Sequence, residues 1–371
     1  MKTRIPLIRE LRQRNFEVAA VCPNPDGAFT DNGIPSYAYT MKPWLSPVAD
    51  LFSLNELRKL FLRHKPNIVH GFTTKPALFI PFAARGTGVR HVVQTITGVG
   101  YVFSSPSLLA SGMRSIYIRL QRLGSKYTSA TVFQNSDDRY FFVKHGMAQP
   151  GRDFIAPGSG IDVDLFLASG PSEANLKSLR NELNVGNRTV VTMVSRLMKE
   201  KGVSEYLQAA AELRKQLGSR DVMFLMIGEA SHGWPRAVPA QDLKRYQEAV
   251  QFLGHRQDVR AILELTDIFV FPTHYGEGIP RVLLEASSLG IPIVTTDMAG
   301  CKEVVKDGQN GLLVPQNNVQ ALVQAIQKLL EEPDLRELMG RGGDSRIRRK
   351  FGLKVVADHY SILYERLLSE F

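Results

Sequence analysis

An α/β fold built from two facing, doubly wound, Rossmann-like domains is what this 371-residue sequence predicts, and three observations carry it. Short apolar runs rich in Val, Ile and Phe alternate with amphipathic stretches along the whole chain, the pattern of parallel strands whose returning helices cover both faces of a sheet. The alternation occurs twice, with a polar stretch near residues 166–187 between the two series. The length suits two domains rather than one, and 44% hydrophobic residues suffice to fill two cores.

In the first series the strands are expected at Phe16–Cys22, Ile68–Gly71, His91–Ile96, Thr131–Asn135 and Phe154–Pro157. Helices are expected between them at Ala49–His64, Pro76–Arg85, Leu108–Ser129 and Asp137–His145. In the second series the strands are Val190–Ser195, Met223–Gly228, Phe252–Gly254, Ile268–Pro272, Ile293–Thr296 and Leu312–Val314. The expected domains are 1–165 and 166–350, with residues 351–371 a helix that crosses back to the first domain. Ala156-Pro157-Gly158-Ser159-Gly160 reads as the entry to a hinge. The opening MKTRIPLIRELRQRNFEV is already a helix leading into a strand. A doubly wound domain ordinarily starts with a strand and a glycine turn, so the first strand of the N-terminal domain is expected to be absent. Either the domain is built without it, or the reading frame starts late.

Charge is unevenly spread. Residues 1–165 carry 20 Lys and Arg against 11 Asp and Glu, whereas residues 166–371 carry 26 against 25. A basic first half suits an anionic partner, whether a membrane surface, a phosphate-bearing substrate or nucleic acid; a merely solvated basic surface is the alternative. The stretch Ser107–Tyr127 interleaves Arg114, Arg119, Arg122 and Lys126 with Met113, Ile116, Tyr117, Ile118 and Leu120, as an interfacial helix would. An ordinary domain helix with one wet face fits as well. No apolar run reaches the ~18 residues of a spanning helix, and no secretory leader is visible. Two cysteines, Cys22 and Cys301, make no disulfide framework and fit a reducing, cytoplasmic setting. Nucleic-acid binding has no motif behind it. There is no Walker loop, HExxH or paired CxxC, and Gly98-x-Gly100 lacks the third glycine of a dinucleotide fingerprint. Asp162-Val163-Asp164 matches a metal-binding D-x-D but lies at a domain boundary, away from a buried strand end; no metal and no cofactor is expected.

Ligands of such sheets bind beyond the carboxyl ends of the strands, so those ends hold the candidates. After Val190–Ser195 come Arg196 and, just before a helix, Lys201, a fork and a point charge that together suit a diphosphate. After Ile268–Pro272 comes HYGEGIPR, in which Gly276 and Gly278 let a ligand approach the backbone. Pro280 suits the first position of a helix whose free N–H groups attract anions. Glu277 stands in the loop, with a pairing to Arg281 as its plain alternative. Glu285 stands on an otherwise apolar helix, where a carboxylate needs a partner such as a ribose diol.

Glu277 and Glu285 make an E-x7-E motif inside EGIPRVLLEA. With SRLMKEKG, FLMIGE, FLGHRQDVRAILELTDIFVFP and KEVVKDGQNGLLVP it resembles the family 4 retaining glycosyltransferases of the GT-B fold. HGFTTKPALFIPFAAR, TITGVGYVF, VFQNSDDRYFFVKHG and IAPGSGIDVDLF resemble the branch that builds lipid-linked surface polysaccharides. The resemblance implies that Arg196 and Lys201 bind a nucleotide diphosphate, UDP being the expected carrier. It implies that Glu285 holds the ribose and that Glu277, with the backbone of Gly278 and Ile279 next to Pro280, holds the donor sugar. The loop carrying His255 and Arg256 would lie near the base. Many relatives place a histidine near the donor sugar; here Thr97 and Gly98 stand in that loop. The implied reaction is metal-independent transfer, with retention, onto a saccharide carried by a polyprenyl diphosphate at the cytoplasmic face of a membrane. A nucleotide-sugar 2-epimerase of related fold and an inactive nucleotide-sugar-binding protein are the alternatives.

Overall fold

The computed structural model describes residues 2–25, 27–42, 46–100, 103, 107–217, 222–229 and 237–370. They fall into two units: Met1–Asp162 with Phe351–Phe371, and Val163–Lys350.

The first unit runs α1 (Ile5–Gln13), β1 (Ala20–Cys22), β2 (Ser36–Ala38), α2 (Pro47–His64), β3 (Ile68–Phe72), α3 (Thr74–Ala84), β4 (His91–Ile96), α4 (Leu108–Ser125), β5 (Ala130–Phe133), α5 (Ser136–Lys144) and β6 (Asp153–Ile155). The second runs α6 (Val163–Ala168), α7 (Glu173–Glu182), β7 (Thr189–Val194), α8 (Val203–Leu217), β8 (Val222–Ile227), α9 (Ala240–Lys244), β9 (Val250–Gly254), α10 (Val259–Glu264) and β10 (Ile268–Phe271). It continues through α11 (Arg281–Ser288), β11 (Ile293–Thr296), α12 (Ala299–Val304), β12 (Gly311–Val314), α13 (Val319–Glu331) and α14 (Pro333–Phe351). Then α15 (Leu353–Ser369) belongs to the first unit again.

In unit 1, β1 and β2 pair with each other, and β3-β4-β5-β6 form a separate sheet; every pair is parallel. The buried strand β4 sends Val92 and Ile96 into a core shared with α2, α3, α4 and α5. It sends Val93 into the opposite core, shared with α1 and α15. That division follows from the two-residue period of a strand. A polar thread ties α15 down: the His70 ring bridges Tyr364 Oη on α15 at 2.5 Å and Thr95 Oγ1 on β4 at 2.6 Å. Burial holds the His70 pKa well below the usual imidazole value, and the nearby Arg4 adds to the effect, so the ring is neutral.

In unit 2 the order is β12-β11-β10-β7-β8-β9, again all parallel. The register runs from Thr189 opposite Val222 to Val194 opposite Ile227. One core contains α8 and α13; the other contains α7 and α10. Two elements did not stand out in the sequence. The polar stretch 166–187 carries a helix packed into unit 2: Ser172 caps α7 by accepting from Asn175 N, and Leu179 and Leu183, one turn apart, are buried in the unit 2 core. And Ser36–Ala38, too short and polar to stand out in sequence, is the strand that β1 pairs with.

Candidate active site of unit 2

Because the strands are parallel, their carboxyl ends share one edge, where Ser195, Gly228 and Pro272 follow β7, β8 and β10 and Gly254 ends β9. A short 3-10 turn, Lys199–Lys201, follows Ser195 and brings Lys201 back over this edge before α8 begins at Val203. Gly202, at φ 76°, closes that turn in the left-handed region, and a side chain there would overlap the carbonyl of Pro272.

Main-chain and hydroxyl bonds join this turn to the loop after β10. The carbonyl of Glu200 accepts from His274 N at 2.9 Å and from Thr273 Oγ1 at 3.1 Å. Thr273 Oγ1 also accepts from Tyr275 N at 3.1 Å, and Thr296 Oγ1 donates to the Thr273 carbonyl. Held this way, Lys201 Nζ forms an ion pair with Glu277 Oε1, and both side chains are largely buried. The ammonium also lies 4.8 Å from the Tyr275 ring centroid and 5.7 Å from that of Phe271, a half-aromatic seat for a cation.

Glu277 therefore faces Lys201, 76 residues away in sequence, and Arg281 is engaged elsewhere. Its Nε donates to Glu285 Oε1 at 2.8 Å, one helical turn on. Pro280 is the N-cap of α11 and the helix starts at Arg281, one position later than expected. Its N-terminus follows Glu277, Gly278 and Ile279 directly, so the positive end of its dipole lies beside the acidic loop. Beneath the loop sits α12. At Gly300 a methyl group would overlap the Gly278 carbonyl and lie 2.9 Å from that of Glu277, so only glycine lets the helix seat there. The neighbouring Cys301 thiol is buried, which pushes its pKa up to about 12 and leaves it inert as a nucleophile.

Each of the other candidates has its own setting. Arg196 is exposed at the end of β7. His255 is exposed after β9, whereas Arg256 is held by Asp258 at 2.7 and 2.8 Å and by Glu182 at 2.9 Å. Those acids raise its pKa and fix the loop. Thr97 and Gly98 follow β4 in unit 1; Tyr101 and Val102 of the same motif lie outside the described residues. Asp164 of the D-x-D pairs with Arg348 at 2.6 Å. Tyr275, Thr273, the Glu200 carbonyl and Gly300 escaped the sequence reading. Only Gly300, at the end of the strand-following TTDMAG, carried a visible signal.

The arrangement offers an ammonium, a guanidinium and a helix N-terminus for an anion, with two carboxylates for hydroxyl groups. Residues 176–346 match the family model of glycosyl transferases group 1, and residues 3–135 match that of glycosyl transferase 4-like proteins. The chain is 24% identical over 368 residues to N,N'-diacetylbacillosaminyl-diphospho-undecaprenol alpha-1,3-N-acetylgalactosaminyltransferase of Campylobacter jejuni, covering 98% of this chain and 95% of that one. It is 26% identical over 358 residues to UDP-Gal:alpha-D-GlcNAc-diphosphoundecaprenol alpha-1,3-galactosyltransferase of Escherichia coli, covering 95% and 90%. Among solved structures, HepE of Anabaena in complex with UDP-glucose superposes with a TM-score of 0.81 at 20% identity, covering 98% of this chain and 95% of that one. That likeness places the fold.

Proposed function

Because this chain belongs to the glycosyl transferases, 4-like in its amino-terminal part and group 1 in its carboxyl-terminal part, we propose that it moves a sugar from a UDP-sugar to a saccharide carried on a polyprenyl diphosphate, with retention at the anomeric carbon. The observation that carries this reading is the Lys201–Glu277 contact at the head of α11, which joins a cation for a leaving diphosphate to a carboxylate for sugar hydroxyls. The named substrates of the Campylobacter and Escherichia relatives support the acceptor class.

In this reaction the bond between the anomeric carbon and the β-phosphate oxygen breaks. The acceptor hydroxyl oxygen bonds the same face of that carbon, and its proton goes to the departing phosphate. The products are the nucleoside diphosphate and a lipid-linked glycan one sugar longer. Charge builds up on the leaving diphosphate, so the groups that stabilise it govern the rate. Arg196, Lys201 and the N–H groups opening α11 take that role. Glu285 takes the ribose diol, which frees or shares Arg281. Glu277 and the backbone at Gly278 and Ile279 orient the sugar. An acceptor of this kind sits at a lipid–water interface, and the basic balance of residues 1–165 supports contact with an anionic membrane face. Among the described residues no helix is long and apolar enough to cross a membrane.

The test is transfer from UDP-sugars to a polyprenyl-diphosphate saccharide, read by mass and by the anomeric coupling of the product. Lys201→Ala and Arg196→Ala are each expected to lower kcat by about 100- to 1000-fold. Near-normal turnover in both, or epimerised free nucleotide sugar from donor alone, would overturn the reading.

A further inference from the structure

Unit 2 has a cleft of about 440 Å³ at the edge of its sheet opposite Lys201 and Glu277, a volume within the range of pockets that hold small ligands. Thr266 and Asp267 precede β10, and Ile291 and Pro292 precede β11, so the cleft opens at the amino ends of the strands. Helix α11, eight residues and about 12 Å long, runs from one edge to the other. It starts at Arg281 beside the Glu277 loop and ends at Leu289 in the cleft wall. The two places share a helix but no residue.

The lining is charged, and its groups are unevenly engaged. The Arg260 guanidinium lies 4.6 Å over the Phe166 ring; its Nε donates to the Phe166 carbonyl at 3.1 Å and its Nη1 pairs with Glu264 Oε1 at 2.6 Å. Arg336 is engaged at one corner. Its Nη1 donates to the carbonyls of Leu329 and Leu330, at 2.6 and 3.2 Å, and closes the end of α13. Among the described residues its Nε and Nη2 have no hydrogen bond and no ion pair. Acceptors are open as well. Asp267 Oδ2 accepts from Val190 N at 2.7 Å and Glu264 presents Oε1 to Arg260, which leaves Asp267 Oδ1 and Glu264 Oε2 at the rim. Glu337, also in the lining, is paired with Arg341.

These groups select the ligand. Three carboxylates stand against two guanidinium groups, with the negative end of the α11 dipole beside them, and that balance repels a phosphate or a carboxylate. An ammonium ion satisfies the open acceptors but has nothing to accept from the unused N–H groups of Arg336. A neutral molecule that both donates and accepts satisfies all of them, as sugar hydroxyls do. Leu167 and Leu289 add an apolar wall for the C–H face of a pyranose. We propose that this cleft is a second, non-catalytic saccharide site, which holds a neutral sugar unit on unit 2 away from the Lys201 edge. It does so whether or not that edge transfers sugar.

Glucose, galactose, N-acetylglucosamine and its β-1,4-linked disaccharide serve as probes in saturation-transfer NMR, with UDP at saturation to occupy the Lys201 edge. Glucose 6-phosphate and spermidine serve as anionic and cationic competitors. Wild-type protein is expected to bind at least one neutral sugar, and neither competitor is expected to displace it. Glu264→Gln/Asp267→Asn turns the open acceptors into amide donors while keeping an oxygen for Val190 N. Leu167→Trp fills the cleft from an exposed wall. Each variant is expected to weaken sugar binding tenfold or more, with the UDP affinity by calorimetry and the melting temperature unchanged. Glu277→Gln, at the other edge, is expected to leave the sugar signal intact. Wild-type protein that binds none of the sugars overturns the proposal. So does a signal that Glu277→Gln abolishes and both cleft variants keep, and so does displacement by either competitor. Should the double amide variant melt early, Leu167→Trp decides alone. None of these readouts needs turnover, so a failed transfer assay counts against the transfer reading only.

Discussion

Lys201 and Glu277 neutralise each other. A donor diphosphate held as proposed would share Lys201 with that carboxylate. The partial burial of both side chains makes a bare Glu277 costly if Lys201 is removed. The sequence made the two residues visible as candidates but not as partners, because 76 residues of chain and the whole β7–β10 crossover separate them. Arg281, only four positions from both acids, looked equally close to either; helix geometry gives it to Glu285, since Glu277 lies outside the helix. Gly300 makes a sharper prediction. Gly300→Ala and Gly340→Ala impose the same overlap of a methyl with a backbone carbonyl, that of Gly278 in the first case and that of Gly290 in the second. Both are expected to lower the melting temperature. Only Gly300→Ala, which displaces the Glu277–Gly278 loop, is expected to cut kcat/KM for the donor tenfold or more, by roughly the 1 Å misplacement argument. Equal kinetic effects from the two would remove Gly300 from any positioning role.

At the scale of elements, most strands were legible from composition because parallel strands buried on both faces are continuous apolar runs. Boundaries moved by a residue or two where an apolar run outlasted its hydrogen-bonded ladder, as at Phe16–Cys22, which pairs only over Ala20–Cys22. Helix α7 was hidden because its exposed face dominates its composition. Two elements also carry titrating groups with opposite effects. His70, on β3, is held neutral, so its contribution is complete above the usual imidazole pKa and is lost as pH falls below about 6.5. Asp138, on α5, is buried and its pKa is pushed up to about 6, with the Asn135 amide opposing the shift. Its contribution is complete below the usual carboxyl value and is lost as pH rises through 6. Asp138→Asn is therefore expected to stabilise the protein at pH 7.5 by on the order of 2 kcal/mol and to change little near pH 4. His70→Gln is expected to flatten the loss below pH 6.5. Melting curves from pH 4 to 8 decide both; a wild-type-like slope in either variant would remove that residue from the account.

For the whole molecule, the backbone reaches unit 2 after Asp162 and returns to unit 1 at Phe351, and both crossings start from one place on unit 1. Ile161 N donates to the Phe351 carbonyl and Leu353 N to the Ile161 carbonyl, each at 2.9 Å. The returning α15 supplies Leu353, Val356, Tyr360, Leu363 and Leu367 to the core that also holds Leu7, Leu11 and Val93. Removing residues 351–371 strips several fully buried side chains, each worth about 1.5–3 kcal/mol, from a unit whose total stability is on the order of 10 kcal/mol. The truncated protein is expected to lose the calorimetric transition of unit 1 and keep that of unit 2, with protease cleavage confined to residues 1–162. A retained double transition would show that α15 is dispensable.

The same return path sets the order in which the protein can be made. Unit 2 is one contiguous run of chain, Val163–Lys350, and needs no segment from outside that run. Unit 1 begins first and is finished last. Its sheet waits for all of unit 2 to be translated, a delay on the order of 10–40 s at ordinary ribosome speeds, with the apolar bed of α15 open throughout. During that interval the nascent chain is a template for wrong partners. Chaperone demand, and the loss of yield when translation is slowed within residues 163–350, follow from where one helix is encoded rather than from how stable the finished protein is.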